Sequence, residues 1–285
     1  MPTITRAGLT IDFTDEGEGP VVVLLHSSVS GNRQWRALGE HLRPAYRVIA
    51  VNLYGYGETT PWTSPSRQTL SDHVHLVEVL CEDLAMPIHV VGHSFGGSVA
   101  LKVAATFGPR VSKLVLLEPN PFYLLKQHAR IEAFDEASAL RDFVREHGAA
   151  GHWEQVAERF ANYWVGDGAW AAMPEKRRTT FLLSLRPNLH EWDAIDDETT
   201  PIDEWRRVAA DVLVLRARDT RRSVAEIYDL LRATCPAWTY VEIASGGHMA
   251  PLSQPDAVNP IIRGFLDAGS ASPAVVAARV AASVE

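Results

Sequence analysis

Cysteine is nearly absent from this chain: 285 residues hold two, Cys81 and Cys235, with no C-x-x-C spacing. That scarcity excludes a disulfide framework and a structural zinc site, and it suits a reducing compartment. There is no block of consecutive lysines or arginines, and the net charge is −8. A basic face for nucleic acid or anionic lipid is therefore not expected. No apolar run approaches the length of a membrane span. The first residues, Met1-Pro2-Thr3-Ile4-Thr5-Arg6, lack the apolar stretch of a signal peptide. The expectation is a cytoplasmic protein acting on a small molecule, without nucleic acid or membrane as partner; homo-oligomerisation stays open. With 46% hydrophobic and 22% charged residues, the composition is that of a folded globular chain.

What is present is a rhythm. Leu9 to Thr14 alternates apolar and polar residues, and Asp15-Glu16-Gly17-Glu18-Gly19-Pro20 breaks the chain in a turn. Val21–Leu25 is a continuous apolar run, the pattern of a strand covered on both faces. Tyr46–Val51, Ile88–Val91 and Leu114–Leu117 repeat it, with helix candidates at Arg33–Leu42, Leu70–Leu84 and Gly97–Phe107 between them. Strands alternating with helices predict an α/β fold with a mostly parallel, doubly wound sheet.

The rhythm fails from Pro119 to Arg207 and resumes at Val212–Leu215 and Tyr240–Ile243. Five of the eight tryptophans lie in the interruption: Trp153, Trp164, Trp170, Trp192 and Trp205. Between Pro121 and Ala210 stand 16 acidic and 11 basic residues. A helical insertion between two strands of a parallel sheet reads as a cap over the carboxyl edge, where such sheets keep their ligand site. The predicted division is a first core part at residues 1–118, an inserted helical cap at 119–207 and a second core part at 208–268. An Ala/Val/Ser-rich C-terminal tail, 269–285, is expected to fray.

The strongest chemical signal is Gly92-His93-Ser94-Phe95-Gly96, a G-x-S-x-G directly after a strand run and before a helix-like segment. Small residues two before and two after let a tight strand-to-helix turn present the Ser94 hydroxyl at the top of the sheet. A hydroxyl is a poor nucleophile at neutral pH, so a base and a group orienting it are required. His248, behind Gly246-Gly247 after the last strand, is the candidate base. Asp219, after the preceding strand, is the candidate acid, in the chain order Ser, Asp, His. Glu118 follows the Leu114–Leu117 run and ends at the same edge, so it is a rival acid. The backbone N–H groups of Phe95 and Ser28 are the expected oxyanion donors.

Around this site, Tyr123, Trp164 and Trp170, with His26 and Met249, are candidate substrate-binding residues. Phe122, Phe160, Tyr163, Phe181 and Trp192 are further aromatics of the insertion. The bland alternative is that most of the aromatics only pack cap helices onto the core. His26 and His93 flank the active strands and are expected to fix loops by hydrogen bonds. His73-Val74-His75 lacks a carboxylate at ligand spacing and reads as a solvated helix face. Arg177-Arg178, with Lys176, reads as a solvated charge run. No metal or organic cofactor is called for.

These motifs together resemble the α/β-hydrolase family over roughly Leu9 to Leu266. His26 fits the family's His-Gly element, Asn52-Leu53-Tyr54-Gly55-Tyr56-Gly57 its Gly-x-Gly loop, and Gly247-His248 its catalytic histidine turn. The resemblance implies a serine hydrolase with a helical cap, cleaving an ester, thioester or lactone of a small apolar substrate through an acyl-serine. It speaks against epoxide hydrolases and haloalkane dehalogenases, which use aspartate where Ser94 stands. Carbon–carbon bond hydrolases usually have a glycine-rich oxyanion loop, and cofactor-free perhydrolases commonly carry methionine where Phe95 stands. These two, and a non-turnover receptor on the same scaffold, are the alternatives. Two departures are visible: Ser27 stands in place of the usual glycine, and Asn52 in place of the more usual aspartate.

Overall fold

The computed structural model describes residues 2–268. The tail at 269–285 lies outside the described residues. Eight strands form one sheet: β1 (Thr3–Arg6), β2 (Leu9–Glu16), β3 (Val21–Leu25), β4 (Arg47–Val51), β5 (Ile88–His93), β6 (Val111–Leu117), β7 (Asp211–Ala217) and β8 (Thr239–Ile243). Their spatial order is β1-β2-β4-β3-β5-β6-β7-β8. The β1–β2 and β2–β4 pairs are antiparallel, and every pair from β4–β3 to β7–β8 is parallel.

The helices of the core are α1 (Arg36–Leu42), α2 (Leu70–Cys81) and α3 (Phe95–Phe107). Between β6 and β7 come α4 (Tyr123–Gln127), α5 (Ile131–Ala149), α6 (Trp153–Val165), α7 (Ala169–Ala172), α8 (Glu175–Ser184) and α9 (Asn188–Asp196). The core resumes with α10 (Arg222–Thr234), α11 (Ala250–Ser253) and α12 (Pro255–Asp267).

The continuous apolar runs have the cause their pattern implies. All five side chains of β3 are buried, but they serve two cores. Val21, Val23 and Leu25 pack with α2, α3 and α10, while Val22 and Leu24 pack on the other face with α1 and α12. Burying a valine or leucine contributes about 1.5–3 kcal/mol, so this alternation fixes the register of the central strands.

Helix α2 begins where Thr69 and Asp72 form a reciprocal cap: Asp72 N–H donates to Thr69 Oγ1 (3.2 Å), and Thr69 N–H to the Asp72 carboxylate (2.7 Å). It ends at Cys81, before the expected Leu84, because the chain must turn into the Met86-Pro87 dipeptide that leads to β5. Within it, His73 is buried between the rings of Tyr54 and Phe95, and only His75 is exposed, which corrects the expectation of a solvated pair.

Candidate active site

The parallel registers bring three loops to one edge. Ser94 N–H donates to Leu117 O (2.9 Å) and Glu118 N–H to Leu215 O (2.8 Å), so the ends of β5, β6 and β7 are stapled side by side. The turn at Ser94 is as tight as its spacing suggested. A Cβ on Gly92 would lie 2.2 Å from Gly96 O, and one on Gly96 would lie 2.2 Å from Leu25 O. Ser94 itself has φ 54° and ψ −120°, and α3 starts at the next residue.

His248 sits in a short 3-10 turn behind β8. Its Nε2 is 2.8 Å from Ser94 Oγ and its Nδ1 is 3.1 Å from Glu118 Oε2. Asp219 does not reach the imidazole. Its two oxygens accept the N–H groups of Gly247 (2.9 Å) and Gly246 (3.2 Å), which folds the turn that carries His248. The expectation that Asp219 orients the histidine is thus corrected in favour of its rival, Glu118. The reason is local. Glu118 has φ 48°, and its carboxylate is further fixed by Ala217 N–H (2.6 Å) and a short hydrogen bond from the Thr220 hydroxyl.

Ser94, Glu118 and His248 are at most 3% exposed. Burial pushes the Glu118 carboxyl up to about 7, against the donors from Thr220 and Ala217. Burial, helped by the Arg221 charge, pushes His248 down to about 3. Both groups are driven towards their neutral forms. A neutral His248 that donates Nδ1–H to Glu118 has Nε2 free to accept from the serine hydroxyl. Trp164 lies over the imidazole, with ring centroids 4.0 Å apart.

The neighbouring histidines hold loops. His93 Nε2–H donates to His248 O (2.8 Å), while its Nδ1 accepts from Gln34 Nε2 (3.1 Å). Gln34 Oε1 accepts in turn from the backbone N–H (3.0 Å) and hydroxyl (2.7 Å) of Ser27. Ser27, in the place of the family's glycine, therefore ties the loop after β3 to the loop of His248. Asn52 accepts from Asn32 N–H (2.7 Å) and donates to Asp12 (2.8 Å), a pairing an aspartate could not make. His26 is fully buried, donating Nδ1–H to Ser27 O (2.7 Å) and accepting from Leu53 N–H (3.1 Å).

A cavity of about 290 Å³ opens above Ser94. Its floor is Ser28, Ser94, Phe95 and His248, and Phe160, Trp164, Phe181 and Trp192 of the inserted helices form much of its wall, with Met249 beside His248. Three candidates fall outside it. His26 is buried behind the loop. Tyr123 is buried, with its hydroxyl donating to Thr200 O (2.9 Å) and accepting from Trp205 Nε1 (3.2 Å). Trp170 packs against Phe181 from outside, covered by the Arg178 guanidinium. Arg177, expected to be solvated, lines the cavity with Arg33. Sequence reasoning also missed Glu191 of α9, a buried carboxyl in the wall, and Tyr56, its partner across the site.

Among the described residues, no group of three or more His, Cys, Asp or Glu side chains could hold a metal ion, and no helix is long and apolar enough to cross a membrane.

A mostly parallel eight-stranded sheet bearing a buried Ser-His-Glu array at its carboxyl edge describes a hydrolase. A sequence profile described as the alpha/beta hydrolase family matches residues 22–261, and the chain belongs to that family and is an enzyme of the hydrolase class. It is 28% identical over 265 residues to lipase LipV of Mycobacterium tuberculosis, covering 87% of this chain and 94% of that protein. It is 23% identical over 264 residues to the (E)-2-((N-methylformamido)methylene)succinate hydrolase of Acinetobacter baylyi, covering 90% and 94%. Among solved structures it resembles the esterase EaEST of Exiguobacterium antarcticum, with a TM-score of 0.77 at 19% identity, over 93% of this chain and 99% of that one.

Proposed function

We propose that this chain is a serine carboxylic-ester hydrolase that takes small apolar esters, thioesters or lactones through an acyl-Ser94 intermediate. The observation that carries the reading is the hydrogen-bonded line from Ser94 Oγ through His248 to Glu118 at the floor of a largely apolar cavity. Ser94 Oγ attacks the acyl carbon as His248 Nε2 takes its proton, and the carbonyl electrons move onto oxygen. Phe95 N–H, at the first position of α3, and Ser28 N–H receive that oxyanion; the positive end of α3 adds to the field. Collapse returns the electrons to the carbonyl, and His248 protonates the departing alkoxide or thiolate. A water then gives its proton to His248 and its oxygen to the acyl carbon, and Ser94 leaves protonated.

Glu118 holds the imidazole in the tautomer this needs and stabilises the imidazolium that forms. Asp219 shapes the loop. The helices of residues 119–207 act as the cap: they bury the acyl group and keep water from the site. Both cysteines are buried and unpaired, which fits a reducing, cytoplasmic setting. The kinship with a lipase and with a hydrolase of a succinate derivative supports the reaction class.

The test is a generic aryl ester mixed rapidly with the enzyme, alongside a fluorophosphonate adduct mapped by mass spectrometry. The expected result is a burst of phenol equal to the enzyme present, with the label on Ser94. Label on another residue refutes the acyl-Ser94 mechanism, and binding without turnover supports a receptor instead.

A further inference from the structure

Val29 follows the expected donor Ser28, and its φ is 64°. For a β-branched residue this is a costly conformation, one that persists only where the surroundings impose it. A local turn, Ser30 N–H to Ser27 O (3.3 Å), puts Val29 in this conformation, and a chain of hydrogen bonds to the inserted helices braces it there. Val29 N–H donates to the Tyr56 hydroxyl (2.9 Å), which donates to Glu191 Oε1 (2.8 Å). Glu191 Oε2 accepts from Asn188 Nδ2 (2.9 Å), and Asn188 Oδ1 accepts from Trp192 Nε1 (3.0 Å). Glu191 and Tyr56 are each 3% exposed. With one oxygen taken up by Tyr56 and the other by Asn188, this acid is spoken for by protein donors, although it stands in the wall of the substrate cavity.

We propose that Glu191 is a positioning residue: through Tyr56 it lets the inserted helices hold the Ser28–Val29 loop in the shape that presents the oxyanion donor. This rests on the reading of Ser94 and Ser28 given above. A glutamine at 191 has one acceptor oxygen for the two donors, Tyr56 and Asn188, so the shape is kept while a bond is lost. Tyr56→Phe cuts the same chain from the core side.

The experiment compares Glu191→Gln, Tyr56→Phe and the double variant in the full chain. Removing a whole oxyanion donor costs about a hundredfold or more, so detuning one should lower kcat by about tenfold with KM nearly unchanged. The double variant should be no worse than the poorer single, because both cut one chain. Amide hydrogen exchange at Val29 should speed up in each. A rise in KM with kcat intact would make Glu191 a wall of the pocket only, and additive losses would separate the two residues; either overturns the proposal. Unchanged exchange at Val29 overturns it as well. If the wild-type enzyme cleaves no ester, it is the proposed function that fails, and the exchange data still decide the tether.

Discussion

The sheet edge and the helices inserted over it are built to different tolerances. At the edge, Ser94, Glu118 and His248 are almost wholly buried, and backbone hydrogen bonds between adjacent strands set the places of Ser94 and Glu118. In the insertion, α7 and α8 bury none of their residues fully, and Val165 and Leu183 are 63% and 66% exposed. Yet Phe181 and Arg177 of α8 stand in the cavity wall. The proposed bond-making groups thus sit where neighbouring strands hold them. Phe181 and Arg177 sit where few buried contacts hold them, and where substitution and motion are cheapest, whereas Phe160, Trp164 and Trp192 of the same wall are buried.

The largest effects should come from the edge. Ser94→Ala should lower kcat by several orders of magnitude while the circular dichroism spectrum is kept, since only binding and the oxyanion donors remain. Residual turnover at a tenth of wild type would sink the covalent mechanism. Next, Glu118→Gln should cost about a thousandfold or more, because an amide can stabilise neither the tautomer nor the imidazolium. Asp219→Asn should cost far less, since an amide oxygen still accepts from the glycine turn. The opposite ranking in kcat/KM would restore Asp219 as the orienting acid.

The insertion should show itself in smaller steps. Each acyl methylene added should raise kcat/KM by up to about fourfold until the cavity is full, the limit set by about 0.8 kcal/mol per buried CH₂. A half-ester of a dicarboxylic acid sharpens the point. The insertion's surplus of acidic residues alone would disfavour it, but Arg33 and Arg177 face the cavity. The half-ester should therefore be cleaved at least as well as the neutral ester of equal length, and Arg177→Ala should remove that tolerance. A flat profile over chain length would leave the aromatics as packing alone.

The smallest expected effect is in pH dependence. With Glu118 pushed up to about 7, the working carboxylate is lost as pH falls through that value, so kcat/KM should decline on the acid side. His248, pushed down to about 3, stays neutral throughout this range. Thr220→Val removes a donor that favours the Glu118 carboxylate, so the acid limb should move to higher pH. A shift to lower pH would show that the limb belongs to another group.

The core was legible because its signals are matters of space. Val21–Leu25 is apolar throughout since both faces of β3 are covered, and Gly92 and Gly96 are glycines since a Cβ would strike backbone oxygen. The acid was not legible, because Glu118 and Asp219 both follow strands at one edge. Only the direction of the chain at Glu118 and the reach of its longer side chain separate them. Tyr123 and Trp170 failed for a similar reason: an aromatic within a helical segment does not declare which neighbour it meets. His73 carried a usable signal, since it stands three residues after Leu70 and four before Val77, on the buried stripe of α2. Glu191 carried none, as its partner Tyr56 lies on a loop 135 positions away.

The backbone at Ser94 has a consequence for heat resistance. With φ 54° and ψ −120°, this residue occupies a region that glycine enters freely and that a side chain enters at a cost of about 1–3 kcal/mol. Alanine at this position loses the hydroxyl but keeps the Cβ, whereas glycine loses both. The difference in melting temperature between Ser94→Gly and Ser94→Ala thus isolates what the turn itself withholds from stability. Glycine's greater unfolded-state entropy works against it by about 0.4–1 kcal/mol. If Ser94→Gly still melts a few degrees above Ser94→Ala, the enzyme gives up part of its thermal margin to keep one serine where it can react.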